Sequence, residues 1–472
     1  MKELTLRKIA EACHGTVAPE AETVTVTGVQ SDSRRVRPGD LFVAIKGEKA
    51  DGHDFVAMAA SLGAKAALVA RPVEAPIPTI LVADTIRAYG DLAAAYREHA
   101  GITVIGITGS VGKTTTKEMT ACLLARSFHT ARTEGNHNNN LGLPMTILDM
   151  PDDTEVAVLE MGMNHFGEMA YLTSIARPDI AIITNIGTMH IEHLGSREGI
   201  LQAKLEIFRG VPKNGVGVFN GDEPLLWNVR ADGGHKKYYF GIENHACDVF
   251  ATDIQELEDG MRFVVSGFGH RFELFVPVLG RHTVYNALAV IGAGLTLGIP
   301  LSKIADALKT ASGVKGRVEV VPTPGKPYTV LIDYSHTPDS LENVLKTVRG
   351  FCKGRVIAVF GCGGDRDPFK RPIMGRIGAE LADLCVVTSD NPRTEDPMAI
   401  IDAIVSGMQE SKHPYVVIEN RVEAIGWAMA HAQKDDVIVL CGKGHETYQE
   451  IGHEKRHLDE REVVADFFGR EV

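Results

Sequence analysis

The sequence has no apolar run long enough to cross a bilayer and no block of lysine or arginine. Its 472 residues carry a net charge of -12. A spanning helix needs about 18–20 apolar residues, so we expect no membrane insertion. Met1–Gly15 lacks a signal-peptide pattern, and we expect a cytoplasmic protein. The acidic balance argues against nonspecific nucleic-acid binding, so anionic ligands must be held by local groups.

Cysteine pairs of the CxxC type, internal repeats and low-complexity tracts are also absent. The seven scattered cysteines are Cys13, Cys122, Cys247, Cys352, Cys362, Cys385 and Cys441. In a cytosolic protein they are typical of small buried apolar residues, and we favour that interpretation over metal or redox roles. A chain of this length exceeds one core, so two or three domains are expected.

The most informative stretch is Thr103–Glu118, TVIGITGSVGKTTTKE. A β-branched run, a glycine turn and a helix-compatible segment follow one another there. Such a turn aims backbone N–H groups inward, and its lysine adds a full positive charge, which suits a polyphosphate. Two residues separate the glycines, whereas the common P-loop has four. The candidate ATP-binding residues here are Gly109, Ser110, Gly112, Lys113, Thr114 and Thr115, with Thr114 or Thr115 offering a hydroxyl to Mg²⁺.

Two short apolar runs, Glu155–Glu160 and Asp179–Asn185, predict further strands. Ligands of parallel sheets lie outside the carboxyl ends of strands, so Glu160 and Asn185 should lie beside the glycine turn. Downstream, Ser196 is a predicted N-cap of a helix that carries Lys204. A lone histidine such as His190 is more often structural, but a magnesium site shared by Glu160 and His190 fits the strand order.

Two other segments carry polar residues with open interpretations. Val29–Asp54 is turn-rich and is either a surface loop or a recognition loop for a polar ligand. Its candidate contacts are Ser31, Ser33, Arg34, Lys46 and His53. Residues 280–286, GRHTVYN, precede an alanine-rich helix. Asn286 there either contacts an adenine edge or caps that helix.

A link rich in glycine and proline, residues 313–327, predicts a domain boundary. Beyond it, a second doubly wound domain is indicated by four predicted strands: Thr329–Asp333, Val356–Gly361, Leu384–Ser389 and Asp436–Cys441. Each strand is followed by a polar loop, in order DYSHTPDS, GCGGDRD, SDNPRTEDP and GKGHE. These loops should converge at one edge of the sheet.

TGSVGKTTT, the series Glu160, His190 and Lys204, the GRHTVYN segment and DYSHTPDS, in this order and spacing, resemble the Mur ligases. These enzymes form amide bonds of peptidoglycan precursors at the expense of ATP. The resemblance covers nearly the whole chain. It implies an α/β protein of three domains: residues 1–100 for the UDP-sugar, 101–315 as a central P-loop ATPase, and 316–472 as a Rossmann-like domain for the amino acid.

The resemblance also implies roles for individual residues. Lys113 and Thr114 match phosphate and Mg²⁺ contacts, Glu160 and His190 match metal ligands, and Lys204 matches a lysine that is carbamylated in most members. The implied catalytic set is Lys113, Lys204, His190 and Glu160, and the implied metal set is Thr114, Glu160, His190 and Lys204. Asn286, Arg317 and Asp333 match nucleotide contacts. The alternative for Lys204 is a solvated lysine paired with Glu206 or Glu198.

The chemistry explains why such a site is needed. A carboxylate and an amine do not condense at neutral pH, because hydroxide is a poor leaving group. Transfer of the γ-phosphoryl group of ATP to the carboxylate gives an acyl phosphate, which the amine then attacks. Both partners of the first step are anions, so the site needs concentrated positive charge from Lys113, the backbone and Mg²⁺. The acyl phosphate must also be shielded from water.

Two branches of the family are represented in different parts of the chain. TEGNHNNNLGLP, with Asn136 and Asn139 as candidate UDP-substrate contacts, and residues 159–169 and 185–207 resemble the branch that adds D-alanyl-D-alanine to UDP-N-acetylmuramoyl-tripeptide. GCGGDRDPFKRP, TSDNPRTEDP and GKGHETYQ resemble the branch that adds meso-diaminopimelate to the dipeptide. The chain lacks the serine-rich acceptor motif of the latter and the usual C-terminal loops of the former.

We favour diaminopimelate as the added group, because the C-terminal domain contacts the amine in this architecture. Arg393 can hold the far carboxylate in a bidentate pair, and Glu446 can face the distal ammonium. The full candidate set is Arg366, Asp390, Asn391, Arg393, Gly442 and Glu446. The alternatives are D-alanyl-D-alanine addition, with Arg393 and Glu446 as ordinary loop charges, or a chimeric or divergent enzyme.

Two further classes remain open. One is another ATP-driven amide ligase, such as a relative of folylpolyglutamate synthase, against which the UDP-type N-terminal domain argues. The other is a nonenzymatic nucleotide-binding partner, against which the complete set Lys113, Thr114, Glu160 and Lys204 argues. We expect a monomer.

Overall fold

The structure is a computed structural model that describes residues 2–47, 50–231, 234–257, 259–311, 313–409 and 413–469. The chain forms two compact units, Met1–Phe250 with Leu288–Ala307, and Ala251–Ala287 with Leu308–Val472. Across the described ranges, no helix combines the length and apolar character that a bilayer crossing requires. All seven cysteines are free thiols; five are buried as predicted, whereas Cys122 and Cys352 are half-buried.

The N-terminal part of the first unit is built on a parallel sheet with strand order β3-β4-β5-β6. Its elements are β1 Leu4–Thr5, α1 Leu6–Ala12, β2 Thr25–Val26, β3 Gly28–Gln30, β4 Asp40–Val43, α2 Val56–Ser61, β5 Ala66–Val69, β6 Thr79–Leu81 and α3 Thr85–Ala100. All four residues of β4 are buried, with Leu41 and Val43 in one core and Phe42 in another. The surface-loop interpretation of residues 29–54 is therefore wrong for Asp40–Val43, where a sheet covered on both faces requires apolar residues at every position.

The rest of the first unit contains a parallel sheet with strand order β8-β9-β7-β10-β11-β12. Its strands are β7 Thr103–Thr108, β8 Thr130–Arg132, β9 Val156–Glu160, β10 Ile180–Ile183, β11 Val216–Asn220 and β12 Lys236–Gly241. Its helices are α4 Lys113–Leu124, α5 Gly142–Leu148, α6 Glu168–Ala176, α7 Ile191–Leu194, α8 Arg197–Leu205 and α9 Pro224–Asn228. The predicted strands at 155–160 and 179–185 are confirmed within two residues, because short buried β-branched runs mark them well.

The chain then passes through β13 Val249–Leu257, β14 Gly260–Gly267, β15 His270–Val276, α10 Arg281–Thr296 and α11 Leu301–Leu308. Strands β14 and β15 form an antiparallel hairpin. Helix α10 begins at Arg281, so GRHTVYN lies almost entirely inside the helix rather than before it. Asn286 is therefore a buried residue of the helix interior, and the interpretation of Asn286 as a helix cap is wrong.

The C-terminal sheet has the order β16-β17-β21-β18-β19-β20 and is parallel except for β16. Its strands are β16 Glu319–Val321, β17 Thr329–Asp333, β18 Val356–Phe360, β19 Leu384–Val387, β20 Tyr415–Val417 and β21 Val437–Cys441. The helices are α12 Pro338–Phe351, α13 Lys370–Leu381, α14 Pro397–Val405, α15 Arg421–His431 and α16 Glu460–Gly469, and a hairpin is formed by β22 Tyr448–Ile451 and β23 Glu454–His457.

All four strands predicted beyond residue 328 are confirmed within two residues. Separate apolar clusters cover the two faces of their sheet, as expected for a doubly wound domain. Strand β16 lies inside the predicted link 313–327 and was not foreseen. It is a three-residue edge strand, and its neighbouring glycines and prolines conceal any apolar periodicity.

Candidate active site

The glycine turn between β7 and α4 takes the conformation that its sequence predicts. Gly109 has a φ of +150° and Gly112 a φ of +82°. A Cβ atom on Gly109 would lie 1.9 Å from the Thr184 hydroxyl oxygen. Both positions therefore require glycine, one for space and one for a left-handed backbone.

The turn is fixed to the end of β10 by Asn185. The Asn185 side-chain oxygen accepts hydrogen bonds from the N–H groups of Ser110 at 2.9 Å and Val111 at 3.0 Å. The Thr184 hydroxyl donates to the Val111 carbonyl at 2.6 Å. The placement of Asn185 beside the turn, predicted from strand order, is confirmed.

Lys113 lies within the turn at the first residue of α4. Its Nζ donates to the carbonyl oxygens of Gly109 at 2.8 Å and Ser110 at 3.2 Å. The N–H groups of a first helical turn have no partner within the helix and carry partial positive charge. Lysine and helix end thus place positive charge at the same point, which favours an anion there.

Glu160, the last residue of β9, is held from both sides. Its Oε2 accepts from the Thr114 hydroxyl at 3.0 Å, and its Oε1 accepts from the Asn138 side-chain N–H at 2.9 Å. Thr115 is buried in the helix packing, so Thr114 is the threonine that faces the carboxylate. Asn138 was missed in the sequence, where three consecutive asparagines look alike.

Asn136 and Asn139 are exposed, and the Asn139 side-chain oxygen accepts from the Gly142 N–H at 2.8 Å at the start of α5.

A hydroxyl and a carboxylate 3.0 Å apart are the hard oxygen donors that Mg²⁺ prefers. In the described part of the chain, no group of three or more His, Cys, Asp or Glu residues is arranged to hold a metal ion. Mg²⁺ commonly takes one or two protein carboxylates together with water and substrate phosphates. Thr114 and Glu160 fit that pattern.

Lys204 and His190 lie in a poorly solvated region beside Lys113. Lys204 is only 4% exposed, and its pKa is well below 10.5 because of burial and then the charge of Lys113. Burial, followed by the charges of Lys113 and Lys204, lowers the pKa of His190 to about 4. His190 is therefore neutral near pH 7, and Lys204 loses its proton more readily than a solvated lysine does.

The alternative of a solvated Lys204 paired with Glu206 or Glu198 is wrong. The Glu206 carboxylate accepts from the N–H groups of Gly167, at 2.9 and 3.1 Å, and of Ala170, at 3.2 Å, at the start of α6. Glu198 lies in the first turn of α8, whose predicted cap is confirmed: the Ser196 side chain accepts from the Gly199 N–H at 3.1 Å.

In the second unit, Asp333 and Arg317 lie near each other at the end of β17. The Asp333 carboxylate accepts from the Val318 N–H at 2.8 Å and from the Ser335 hydroxyl. Burial raises the pKa of Asp333, against the opposing charge of Arg317. The Arg317 guanidinium lies 5.0 Å from the Tyr334 ring centroid.

The loops that follow the C-terminal strands converge at one edge, as predicted. Arg393, with a φ of +51°, donates through Nε to Glu450 at 3.0 Å and through Nη1 to the Gly364 carbonyl at 2.7 Å. A Cβ atom on Gly363 would lie 3.0 Å from Nη1 of Arg393 and 3.8 Å from Cγ of Arg366, so the two arginines flank this glycine.

Lys443 lies in the GKGHE loop and connects the other candidate residues, a role that its local sequence does not indicate. It is fully buried, lies 3.3 Å from the Asp390 carboxylate and 3.5 Å from that of Glu446, and donates to the Asn391 side-chain oxygen. Asn391 in turn donates to Glu446 at 3.1 Å. Burial alone would raise the pKa of Asp390. The positive charges of Lys443 and then Arg421 more than offset burial, so the pKa is lowered. Gly442, at a φ of +116°, has no room for a side chain, since a Cβ would lie 2.5 Å from the Asp390 carboxylate.

The N-terminal candidates divide into exposed and structural residues. Arg34 is exposed and pairs with Asp32 at 2.7 Å, and Lys46 is exposed. Ser31 and Ser33 are half-buried.

His53 is a correction to the predicted ligand set. Its Nδ1 contacts the Asp51 carboxylate at 2.6 Å, and its Nε2 accepts from the Ala70 N–H at 2.8 Å. Both nitrogens of this buried ring are occupied within the protein, so His53 supports the loop rather than a ligand.

A parallel sheet whose first strand leads through a lysine-bearing glycine turn into a helix defines the class of α/β phosphate-loop proteins. Comparison with known proteins identifies the family within this class. The chain matches the Mur ligase family, catalytic domain, over residues 25–106, the Mur ligase middle domain over 107–294, and the Mur ligase, glutamate ligase domain, over 316–444.

Relatives and solved structures extend over nearly the whole chain. The UDP-N-acetylmuramoyl-L-alanyl-D-glutamate--2,6-diaminopimelate ligase of Bacillus cereus is 35% identical, with 98% of each chain covered. The crystal structure of MurF from Acinetobacter baumannii has a TM-score of 0.84 at 30% identity, with 99% of each chain covered. MurF ligase from Thermotoga maritima, solved in complex with ADP, has a TM-score of 0.79 at 26% identity, covering 94% of this chain and 98% of that one.

The chain belongs to the Mur ligase family and is an ATP-dependent ligase. The three-domain α/β architecture expected from the sequence is confirmed.

Proposed function

We propose that this ligase adds meso-diaminopimelate to UDP-N-acetylmuramoyl-L-alanyl-D-glutamate in peptidoglycan precursor synthesis. The observation that carries the proposal is the joined pair of loops in the second unit, where Asn391 and Lys443 connect the Arg393 loop to Glu446. The name of the Bacillus cereus relative supports the same substrate pair.

The chemistry of the added group matches these residues. Meso-diaminopimelate carries a second carboxylate and a second ammonium far from the reacting amine. Arg393 offers a planar fork to the carboxylate, and Glu446 offers an anion to the ammonium. D-alanyl-D-alanine has no second ammonium, so Glu446 would have no partner in that substrate.

In the reaction, a carboxylate oxygen of the acceptor attacks the γ-phosphorus of ATP, and the bond to the bridging oxygen of ADP breaks. The amine then attacks the acyl carbon, the C–O bond to phosphate breaks, and the amine releases a proton. The products are an amide, ADP and phosphate.

The first unit supplies the phosphate-binding residues in this proposal. Lys113 and the Gly109–Gly112 turn hold the phosphates, with Ser110 and Thr115 shaping the turn. Asn286, Arg317 and Asp333, which belong to the second unit, are the other nucleotide contacts that the family resemblance implies. Mg²⁺ bound by Thr114 and Glu160, with His190 and Lys204 completing the set, would neutralise charge that develops on the transferred phosphoryl group.

Lys204 has the properties required for carbamylation. Its burial and the nearby charge of Lys113 lower the pKa of the amine, which favours the neutral form, and only a neutral amine can add to CO₂. The carbamate would replace repulsion from Lys113 by attraction and would add anionic oxygens to the site. Mass spectrometry of the intact protein, with and without bicarbonate, tests this modification, and Lys204→Arg is the control that cannot be carbamylated.

We further propose the division of labour implied by the family: residues 1–100 bind the UDP-sugar, 101–315 bind ATP, and 316–472 bind the amine. The proposed UDP-substrate contacts are Ser31, Ser33, Arg34, Lys46, Asn136 and Asn139. The protein would act as a monomer in the cytoplasm, where its nucleotide substrates are made.

The second candidate function is addition of D-alanyl-D-alanine to UDP-N-acetylmuramoyl-tripeptide. It is favoured by the likeness to MurF of Acinetobacter baumannii, which extends over 99% of both chains.

One assay separates the candidates. Phosphate release is measured with the dipeptide acceptor plus diaminopimelate, with the tripeptide acceptor plus D-alanyl-D-alanine, and with the amines exchanged; lysine tests the need for the distal carboxylate. We expect turnover with dipeptide and diaminopimelate. Preferential turnover of tripeptide with D-alanyl-D-alanine would select the second function, and activity only with a folate and glutamate would overturn both.

A further inference from the structure

Two turns of the second unit touch through their backbones. The Gly316 turn comprises residues 314–317 and precedes β16, and the Gly444 loop comprises residues 442–446 and follows β21. Gly316 has a φ of +73° and Gly444 a φ of +54°. A Cβ atom on Gly316 would lie 2.3 Å from the carbonyl carbon of Gly444 and 2.4 Å from the nitrogen of His445. Neither turn can shift toward the other, because no side chain separates them.

Arg461, at the start of α16, fastens the two turns together. Its Nε donates to Oε1 of Glu319 at 2.8 Å, and its Nη2 donates to Oε2 of Glu319. Glu319 accepts from the Gly316 N–H at 2.5 Å, and Arg461 Nη2 also donates to the Gly444 carbonyl at 3.2 Å. The Arg461 side chain is 19% exposed, so solvent screens this two-pronged ion pair only in part.

Each turn carries residues for a different ligand. The Gly316 turn ends at Arg317, and the next N–H, that of Val318, donates to the Asp333 carboxylate at 2.8 Å. The Gly444 loop carries Glu446. Tyr334 contacts a residue of each turn: its ring centroid is 5.0 Å from the Arg317 guanidinium and 5.0 Å from the His445 ring.

We propose that Arg461 is a positioning residue that couples nucleotide binding to amine binding. The inference rests on the proposed roles of Arg317 and Asp333 toward the nucleotide and of Glu446 toward the amine. A ligand that orders one turn also orders the other through Glu319, Arg461 and Gly444, so the second ligand meets a prepared site. Such coupling is reciprocal and amounts to about 5- to 150-fold in affinity in typical proteins.

The test measures the dissociation constant of AMPPNP, an ATP analogue that cannot transfer its phosphoryl group, by calorimetry with and without saturating amine. The UDP-linked acceptor is present throughout. The amine is the one that the wild-type protein joins to its acceptor, so failure of the diaminopimelate assignment does not decide this experiment. The variants are Arg461→Met, the near-isosteric Glu319→Gln, both together, and Arg461→Lys.

Arg456→Met on β23 is the matched control, since Arg456 makes the same kind of arginine–glutamate contact, at 3.6 Å from Glu454, on an exposed hairpin. We expect the amine to tighten AMPPNP binding at least about fivefold in the wild type and in Arg456→Met. In Arg461→Met and Glu319→Gln the tightening should fall below about twofold, while the affinity for AMPPNP alone changes little.

The double variant should be no worse than either single variant, because both remove the same contact. Arg461→Lys should recover part of the coupling, since its ammonium keeps the charge but lacks the fork. Three results would overturn the proposal. Coupling could be absent from the wild type, it could persist in Arg461→Met, or it could be lost equally in Arg456→Met. Melting temperatures of all variants separate a loss of coupling from a loss of fold.

Discussion

The Lys113 region of the first unit and the Lys443 region of the second unit differ in how their charges are balanced. Around Lys113, the neighbouring titratable groups Lys204 and His190 are pushed toward neutrality by burial and by positive charge. Around Lys443, charges are matched: Asp390 and Glu446 lie within 3.5 Å of its ammonium, and Arg393 pairs with Glu450.

The difference indicates how each region selects its ligand. The excess positive charge around Lys113 would attract any polyphosphate, which suits a common substrate such as ATP. In the Lys443 region the charges are already paired, so a charged ligand is not attracted by net charge alone. It must replace one of the existing partners in these ion pairs. Selectivity for a particular amine is therefore expected in the second region.

The largest expected effect concerns Lys113. Lys113→Ala should lower the rate of phosphate release about 10³-fold, because the charge that faces the phosphates is lost from a pre-formed site. Steady-state kinetics at saturating ATP measures this. Lys236→Ala, at an exposed lysine, is the control. A less than tenfold loss would place the phosphates elsewhere.

A substitution of Arg393 tests the region of paired charges in the second unit. Arg393→Ala should raise the KM for diaminopimelate about 100-fold and leave the KM for ATP nearly unchanged, since one partner of a partly buried charge pair is removed. Arg456→Ala, on the neighbouring hairpin, controls for loss of surface charge. An equal rise in both KM values would show that Arg393 supports the fold rather than the amine.

Asn138 should have a moderate effect. Its hydrogen bond orients Glu160, so Asn138→Ala should raise the Mg²⁺ concentration for half-maximal rate about tenfold, with a similar rate at saturation. Asn140→Ala alters an exposed asparagine two residues away, outside the proposed substrate contacts, and should leave the magnesium requirement unchanged. Identical titration curves for both variants would remove Asn138 from the site.

The expected effect at Lys204 is on stability rather than on rate or affinity. The unfolded chain protonates this amine below about pH 10.5, whereas the folded protein holds it neutral to a much lower pH. Falling pH therefore favours unfolding across that window. In bicarbonate-free buffer, Lys204→Met should raise the free energy of unfolding at pH 7 by about 1–3 kcal/mol and flatten its pH dependence.

Urea titrations from pH 7 to 9 measure this change. Lys236→Met is the control, and a destabilised Lys204→Met variant would contradict the expectation.

Much of the fold followed from local patterns. Buried β-branched runs located β9, β10 and four strands of the C-terminal sheet, β17, β18, β19 and β21. Strand order then placed Glu160 and Asn185 beside the glycine turn. Strand β16 escaped because a three-residue edge strand has no periodicity to detect. The start of α10 was misplaced because GRHTVYN has turn-like residues that tertiary packing holds in a helix.

Sequence patterns also predicted the candidate sites only in part, because they do not show which side chains contact each other. Types and spacing identified Lys113, Thr114 and Glu160, but only the folded chain distinguishes Asn138 from its neighbours or pairs His53 with Asp51 and Ala70. Lys443 and Arg461 act through partners more than 50 and 140 residues away in sequence, respectively. No local pattern encodes such pairings.

The Gly444 loop also limits how this ligase can be re-engineered. Gly442 faces the Asp390 carboxylate, Gly444 is pressed against Tyr334, and Lys443 is enclosed on every side. A mutant library aimed at new amine donors would therefore yield folded proteins mainly at two of these five positions, His445 and Glu446. Diversity should be concentrated there and in the Arg393 loop, because elsewhere in this segment the backbone itself is the constraint.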